Sequence, residues 1–219
     1  MRQFVKNLSD RTEFIIVTVL SFSCVMMSSL GLLLSGGRYV EFTTGGVLGV
    51  ILIEVFTLGV VLSFLRARGW NIRHRLGLDF SWKAAAAGIP LFVIYLLLHW
   101  VTATLVLLVF PKARAIGAFN FTTLAPFVLM LFFIVINAVF EELTVTAYVI
   151  ESMAGGGAGR AITASTLLRF SYYLWQGPLA SLSMVPLGLL FGAMYWRRRN
   201  VWPLIAAHTI ANAVVFALK

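Results

Sequence analysis

Charged residues and cysteines are scarce in this chain of 219 residues. Only 11% of the residues are charged and 60% are hydrophobic, whereas soluble domains have about 25% charged and about 45–50% apolar residues. This balance excludes a soluble globular domain and a disordered chain. The single cysteine, Cys24, excludes an intrachain disulfide and a metal site built from cysteines. The chain also lacks a His-Glu-x-x-His sequence, so nothing in it demands a metal, and we expect no cofactor while metal dependence stays open.

Long hydrophobic runs dominate the sequence instead. A spanning helix needs about 20 mostly apolar residues. Runs that approach or exceed this length lie at about 14–35, 45–65, 84–110, 123–150, 160–177, 179–196 and 201–218. The run at 160–177 is the weakest because polar side chains interrupt it. These runs predict an all-α polytopic membrane protein, a bundle of about seven to eight transmembrane helices that forms a single membrane domain over residues 1–219.

Basic residues outnumber acidic ones, and their positions indicate the topology. The chain has 17 Lys and Arg against 8 Asp and Glu. If the N-terminus faces the cytoplasm, twelve of the basic residues fall on the cytoplasmic side and four on the other side. Cytoplasmic loops of membrane proteins show this bias. We therefore expect a cytoplasmic N-terminus, membrane lipids as partners and no nucleic-acid partner, and the compact loops favour a prokaryotic plasma membrane.

Ionisable side chains inside membrane spans are costly and often functional. Glu54 is alone in the second run, where a protonated carboxyl or a polar contact with another helix explains it. His99 lies in the third run, where a neutral histidine bonded to a neighbouring helix is a sufficient explanation. For both residues the favoured interpretation is a structural role.

Glu141 and Glu142 are adjacent carboxylates in the middle of the fourth run. Both cannot be ionised cheaply there. Adjacent residues on a helix point about 100° apart, so we expect one to face a wet cavity and the other an internal partner. A carboxylate in such a place suits a general base. The alternative is a structural Glu–Arg pair within the bundle.

Arg169 in the fifth run is the natural partner for these carboxylates, because a buried arginine is nearly always paired. Tyr173 and Gln176 follow it at positions i+4 and i+7, so the three side chains share one helix face. A polar stripe in an apolar segment predicts a face that is turned toward protein or water rather than lipid.

His208 and Asn212 in the last run are four residues apart and share a helix face. Together they offer two hydrogen-bond donors to one point, which suits an oxyanion. An interhelical polar contact is the alternative. With the N-terminus inside, Glu141 lies roughly 15 Å and His208 roughly 10 Å above the inner edge of the membrane. Arg169 falls in the same layer, so we expect these groups to meet.

The order of these motifs resembles the CPBP family of intramembrane endopeptidases. This family is also called the Abi family, and it includes the CAAX prenyl proteases and bacteriocin-processing proteins. The likeness covers a core of about 123–218. It is strongest from Gly188 to Arg197 and from Trp202 to His208, and the segment Leu174-Trp175-Gln176-Gly177 also resembles a family segment.

The resemblance implies peptide-bond hydrolysis without a covalent acyl-enzyme. Glu141 corresponds to the family glutamate that activates water, and Glu142 to the second glutamate, which supports the site. His208 and Asn212 correspond to the pair that stabilises the tetrahedral oxyanion. The implied substrate is a membrane-associated peptide or protein that is cleaved near the inner half of the bilayer.

Two positions depart from the family pattern. Thr146 stands where the Glu-Glu-x-x-x-Arg motif has its arginine, and Arg169 could supply that charge from the next helix. Tyr173 stands where the family has the histidine that helps to hold the attacking water. A phenol can hydrogen-bond a water but accepts a proton poorly at neutral pH. We therefore expect activity that is low, altered or absent.

Three functions remain open at this point. The first is an intramembrane peptidase of the CPBP type. The second, favoured by Tyr173, is a catalytically impaired pseudoprotease of the same fold that binds or assembles with another membrane protein. The third is a small transporter or channel subunit that uses Glu54, His99 and the glutamate pair as an ion path. It ranks last, because the sequence shows no matching pair of broken helices from an inverted repeat.

Overall fold

The computed structural model describes residues 5–34, 39–111 and 120–217. Within these ranges the chain is almost entirely helical. Its α-helices are α1 Asp10–Leu34, α2 Thr44–Ala67, α3 Ile72–Arg75, α4 Trp82–Ala86, α5 Gly88–Val109, α6 Phe127–Glu141, α7 Val149–Ser152, α8 Ala158–Tyr173, α9 Pro178–Arg198 and α10 Trp202–Ala217.

The helices agree with the predicted membrane spans. Within the described residues, four helical stretches are long and apolar enough to cross a membrane: Asp10–Leu34, Thr44–Ala67, Trp82–Val109 and Phe127–Ser152. They coincide with the first four predicted runs. The last three runs are helical as well, and they form α8, α9 and α10. The chain is therefore an all-α polytopic membrane protein, as the sequence predicted.

A small sheet at one end of the bundle was not predicted. Strands β1 Tyr39–Phe42 and β2 Asn120–Thr123 pair in parallel and in full register. The ring of Phe42 packs against Phe133 of α6 and Phe216 of α10. The sheet thereby fixes the segment that precedes α2 to the segment that precedes α6, which are the two helices that carry Glu54 and Glu141.

Polar contacts join the loops at the opposite end. Arg68 Nε donates to Glu13 Oε2 at 2.7 Å, which ties the end of α2 to the start of α1. Arg199 pairs with Glu151, and Asn200 Nδ2 donates to the carbonyl of Asp79 at 2.9 Å. The loops that carry most of the basic residues are thus in contact with one another. This arrangement agrees with the alternating topology that the sequence predicts.

A π-helix, Glu142–Tyr148, joins α6 to α7 and positions the two adjacent glutamates. All seven of its residues are buried. A π-helix disrupts the regular i to i−4 ladder, and here hydroxyl groups bond to one carbonyl within the segment and to one just before it. Ser165 Oγ donates to the carbonyl of Val145 at 2.8 Å, and Thr144 Oγ1 donates to that of Phe140 at 2.7 Å. Such segments are frequent at functional sites.

Close packing fixes α8, which carries Arg169, against α9. Gly188 and Gly192 are four residues apart on α9 and face Thr166 and Ile162 of α8. A Cβ atom at Gly188 would lie 2.8 Å from Thr166 Oγ1, so a larger residue would push the helices apart. Small residues at this spacing allow membrane helices to approach closely. The position of Arg169 relative to the π-helix follows from this packing.

Candidate active site

Glu142 is fully buried and is held by three side chains. Thr146 Oγ1 donates to Glu142 Oε2 at 2.7 Å, and Arg169 Nη2 donates to Glu142 Oε1 at 2.8 Å. His208 Nδ1 lies 2.7 Å from the same Oε1 atom. We call Glu142, Thr146, Arg169 and His208 the closed side of the site. Water is excluded there, and both oxygens of the carboxylate are paired.

Arg169 is completely buried and binds both carboxylates. Its Nη1 donates to Glu141 Oε2 at 2.9 Å, and its Nη2 donates to Glu142 Oε1. The same Nη2 donates to Thr146 Oγ1 at 3.1 Å. The guanidinium therefore lies beside position 146, where the motif of the CPBP family, which this chain resembles, has its arginine. The structure forms the Glu–Arg pair that the sequence left as the alternative to a functional glutamate pair, and the positive charge lies where Arg169 was suggested to supply it.

Glu141 is held less completely than Glu142. Its Oε2 accepts from Arg169 and also from Tyr172 Oη at 2.6 Å. In the described part of the chain, its Oε1 has only two long contacts, each of 3.4 Å, from Asn137 Nδ2 and Tyr173 Oη. Contacts of this length are weak. Oε1 is therefore the oxygen at which a water molecule can most easily replace an existing donor.

A cavity of about 230 Å³ opens beside Glu141, between α1, α2, α6 and α8. Its polar lining includes Ser21, Glu54, Asn137, Glu141 and Tyr172. We call Glu54, Asn137, Glu141 and Tyr172, together with this cavity, the open side of the site. A water molecule occupies about 30 Å³ in the liquid, so the cavity holds several. The expected division is present: Glu141 faces a cavity and Glu142 faces internal partners.

Asn137 connects three helices on the open side. Its Nδ2 donates to Glu54 Oε1 at 2.9 Å, in addition to the long contact with Glu141. Its Oδ1 accepts from Asn212 Nδ2 at 3.2 Å. Glu54 thus has the polar contact with another helix that the sequence analysis expected. The same contact brings Glu54 into the site, which that analysis did not expect.

His208 and Asn212 share a face of α10, but they bond to different partners. His208 is tied to Glu142 on the closed side, and Asn212 to Asn137 on the open side. The sequence instead predicts that both residues offer donors to one point. The groups left to do so are His208 Nε2 and the second N–H of Asn212.

The predicted polar stripe on α8 extends only as far as Tyr173. Gln176 lies in the 3₁₀ turn Leu174–Gln176, so the α-helical spacing that aligned it with Arg169 no longer applies. Among the described residues, Gln176 makes no hydrogen bond to either side of the site. His99 packs edge-on against Tyr95 of α5, with 5.8 Å between the ring centroids, and is not part of either side.

Two residues of the site were missed by the sequence analysis. Asn137 precedes Glu141 by four residues on α6, and Tyr172 follows Arg169 by three residues on α8. Both spacings place side chains on a shared helix face. An asparagine in an apolar span is itself a signal of an interhelical contact, and it would have identified Asn137.

The arrangement combines an ionisable carboxylate beside a cavity, a buried cation and a histidine, all of which are able to move or stabilise charge. Within the described ranges, no three or more His, Cys, Asp or Glu side chains form a group that could hold a metal ion. Fold and site together define a polytopic membrane protein with a glutamate-centred polar site inside its helix bundle.

Residues 123–214 match the family model Type II CAAX prenyl endopeptidase Rce1-like. This part of the chain, which is less than half of the whole, is similar to the CAAX prenyl endopeptidases, and the match supports the resemblance to the CPBP family. The matched range includes both glutamates of the pair, Arg169, His208 and Asn212, whereas Glu54 lies outside it. No curated protein and no solved structure gave a significant match.

Proposed function

We propose that the protein is an intramembrane endopeptidase of the glutamic type, which hydrolyses a peptide bond with a water molecule activated by Glu141. The observation that carries this proposal is the position of Glu141. It is the carboxylate that lines the cavity, and its Oε1 has only weak contacts of 3.4 Å. A general base must lie within hydrogen-bond reach of the water that it deprotonates. The match to the CAAX protease family supports the same reaction.

In the proposed reaction, Glu141 Oε1 takes a proton from water while the water oxygen adds to the carbonyl carbon of the substrate. The oxyanion that forms is stabilised by His208 Nε2 and by the free N–H of Asn212. Because His208 Nδ1 is engaged with Glu142, Nε2 can donate only when the ring is an imidazolium. Arg169 alone faces two carboxylates, so a positive His208 would balance the charge of the cluster. Preorganised donors of this kind raise the rate by roughly 10²-fold or more.

A catalytically impaired pseudoprotease is the second candidate, and one observation favours it. The ion pair with Arg169 and the 2.6 Å hydrogen bond from Tyr172 both engage Glu141 Oε2, so this carboxylate is part of the structural network of the bundle. Tyr173 supplies a phenol where the family has a histidine. In this case the cavity would bind part of another membrane protein without cleaving it.

Cleavage assays in liposomes separate the two candidates. The wild type, Glu141→Ala and Tyr173→His are each reconstituted with a mixed library of quenched-fluorescent peptides, some of them prenylated. Cleavage by the wild type that is lost in Glu141→Ala supports the peptidase. A silent wild type with an active Tyr173→His variant supports the pseudoprotease. If all three are silent, the peptidase proposal fails for this substrate class, and copurifying membrane proteins become the subject of study.

We also propose that the N-terminus is cytoplasmic, that the membrane is a prokaryotic plasma membrane, and that the substrate is a membrane-associated peptide or protein. The contacts among the basic loops support a common side for them, and basic loops are usually cytoplasmic. An N-terminal tag tests the orientation. The tag should resist protease in intact cells and be cleaved in inverted membrane vesicles, and the reverse pattern would contradict the proposal.

A further inference from the structure

Glu54 is a buried carboxyl on α2 that shares the cavity with Glu141. It is 8% exposed and lines the same space. Its Oε1 accepts from Asn137, but its Oε2 is buried and has no hydrogen-bond partner among the residues that the structure describes. Ser21 also lines the cavity, and within the described ranges its Oγ is likewise buried without a hydrogen-bond partner. Unpaired polar atoms are rare in protein interiors and call for an explanation such as a bound polar group.

The charges of the cluster indicate the protonation state of Glu54. Arg169 is paired with Glu141 and Glu142, and His208 with Glu142. Among the described residues, no basic side chain forms an ion pair with Glu54. A buried carboxyl without a cation is stable as the neutral acid. Because Asn137 donates an N–H to Oε1, the proton of that acid belongs on Oε2.

A bridging amide keeps the two carboxyl groups close. Asn137 Nδ2 lies 2.9 Å from Glu54 Oε1 and 3.4 Å from Glu141 Oε1. One carboxyl is therefore an ionised, arginine-bound base and the other a neutral acid beside the same cavity. Two carboxyl groups whose surroundings differ in this way are suited to separate acid and base roles.

We propose that Glu54 is the general acid of the hydrolysis, which rests on the proposed peptidase function. Glu141 takes one proton from water, and the hydroxyl forms a bond to the carbonyl carbon. The carbon–nitrogen bond then breaks, and Glu54 Oε2 gives its proton to the leaving nitrogen. The products are an acid and an amine. Glu141, now protonated, returns a proton to Glu54 through water in the cavity, which restores both groups.

The structural alternative is that Glu54 only accepts the hydrogen bond of Asn137. The substitution Glu54→Gln distinguishes the two roles, since the glutamine carbonyl still accepts from Asn137 but its amide is not an acid. The matched control is Glu41→Gln, which makes the same chemical change at an exposed carboxylate.

The first test compares two leaving groups. Wild type, Glu54→Gln, Glu141→Gln and Glu41→Gln are assayed with one peptide as the amide and as the p-nitrophenyl ester, whose leaving group needs no proton. We expect Glu54→Gln to lose roughly 10²-fold or more in kcat on the amide and to cleave the ester at close to the wild-type rate. Glu141→Gln should lose both activities. Equal losses on both substrates, or an unchanged rate on the amide, would overturn the assignment of Glu54.

The second test does not need cleavage or a folded variant. Dicyclohexylcarbodiimide modifies neutral carboxylic acids in apolar surroundings, and mass spectrometry locates the product. In wild-type protein we expect label on Glu54 and none on the ion-paired Glu141 and Glu142. An unlabelled Glu54 would overturn the proposal. If Glu54 is labelled but the protein cleaves neither substrate, Glu54 is a neutral acid but the peptidase function fails. The general-acid role then fails with it.

Discussion

Glu141 and Glu142 are neighbours in sequence but have different surroundings. On the closed side, Glu142 has both oxygens paired to Thr146, Arg169 and His208 and has no contact with solvent. On the open side, Glu141 shares Arg169 but lines a cavity together with an unpaired atom of Glu54.

The comparison shows how one buried cation can serve two purposes. On the closed side Arg169 completes a network in which the loss of a charged partner leaves a buried charge without its ion pair. On the open side the same guanidinium holds a carboxylate that still has a weakly bound oxygen and space beside it. We therefore expect substitutions of Glu142 and Thr146 on the closed side to affect mainly stability and those on the open side to affect mainly activity.

The largest effect on stability is expected for Arg169→Met, which removes the cation from both sides at once. Two buried carboxylates would lose their partner, and breaking a buried pair in this way costs about 3–5 kcal/mol. Unfolding in mixed detergent micelles gives the free energy. Arg160→Met, at an exposed position of the same helix, should change it by less than about 0.5 kcal/mol. A loss below about 1 kcal/mol for Arg169→Met would contradict the pairing described here.

A smaller effect is expected for Thr146→Val, which alters only the closed side. The hydroxyl donates to Glu142 and accepts from Arg169, and its loss should cost about 1–2 kcal/mol by the same measurement. Thr144→Val is the matched control, because the Thr144 hydroxyl bonds to the carbonyl one turn before it and, among the described residues, to no other group. Equal stability of the two valine variants would contradict the role of the Thr146 hydroxyl on the closed side.

The smallest effect on stability is expected for modification of Cys24, which lines the cavity on the open side and is exposed. A small maleimide should leave the free energy of unfolding within about 0.5 kcal/mol of the unmodified value. It should nevertheless block peptide cleavage by occupying the cavity. Cleavage by Cys24→Ser should be insensitive to the reagent. Full activity of the modified wild type would show that the substrate reaches Glu141 by another way.

Part of the site could be predicted because a charged side chain inside a membrane needs a partner of opposite charge. A buried arginine is nearly always paired with an anion, so the sequence already offered an ion pair of Arg169 with Glu141 and Glu142 as the alternative to a functional glutamate pair. His208 could be placed in the same layer by counting residues from the membrane edge. The helical spans followed from hydrophobic length in the same way.

Other parts of the site and fold depend on local backbone geometry that a hydrophobic pattern does not predict. The π-helix after Glu141 and the 3₁₀ turn after Tyr173 change the rotation per residue, so the helix faces predicted with regular spacing fail beyond these points. The pairing of β1 with β2 joins segments about 80 residues apart and leaves no periodic signal. Glu54 was interpreted as structural because its neighbours across the cavity belong to helices whose contacts only the folded chain defines.

The most direct test of the account measures stability and cleavage together for Glu141→Gln and Glu142→Gln. We predict that Glu142→Gln loses about 1.5–3 kcal/mol of stability and keeps measurable cleavage. Glu141→Gln should lose less stability, and cleavage should fall roughly 10²-fold or more. The reverse pattern, an inactive but stable Glu142→Gln beside an active Glu141→Gln, would show that the acting carboxylate is on the closed side and would contradict the account.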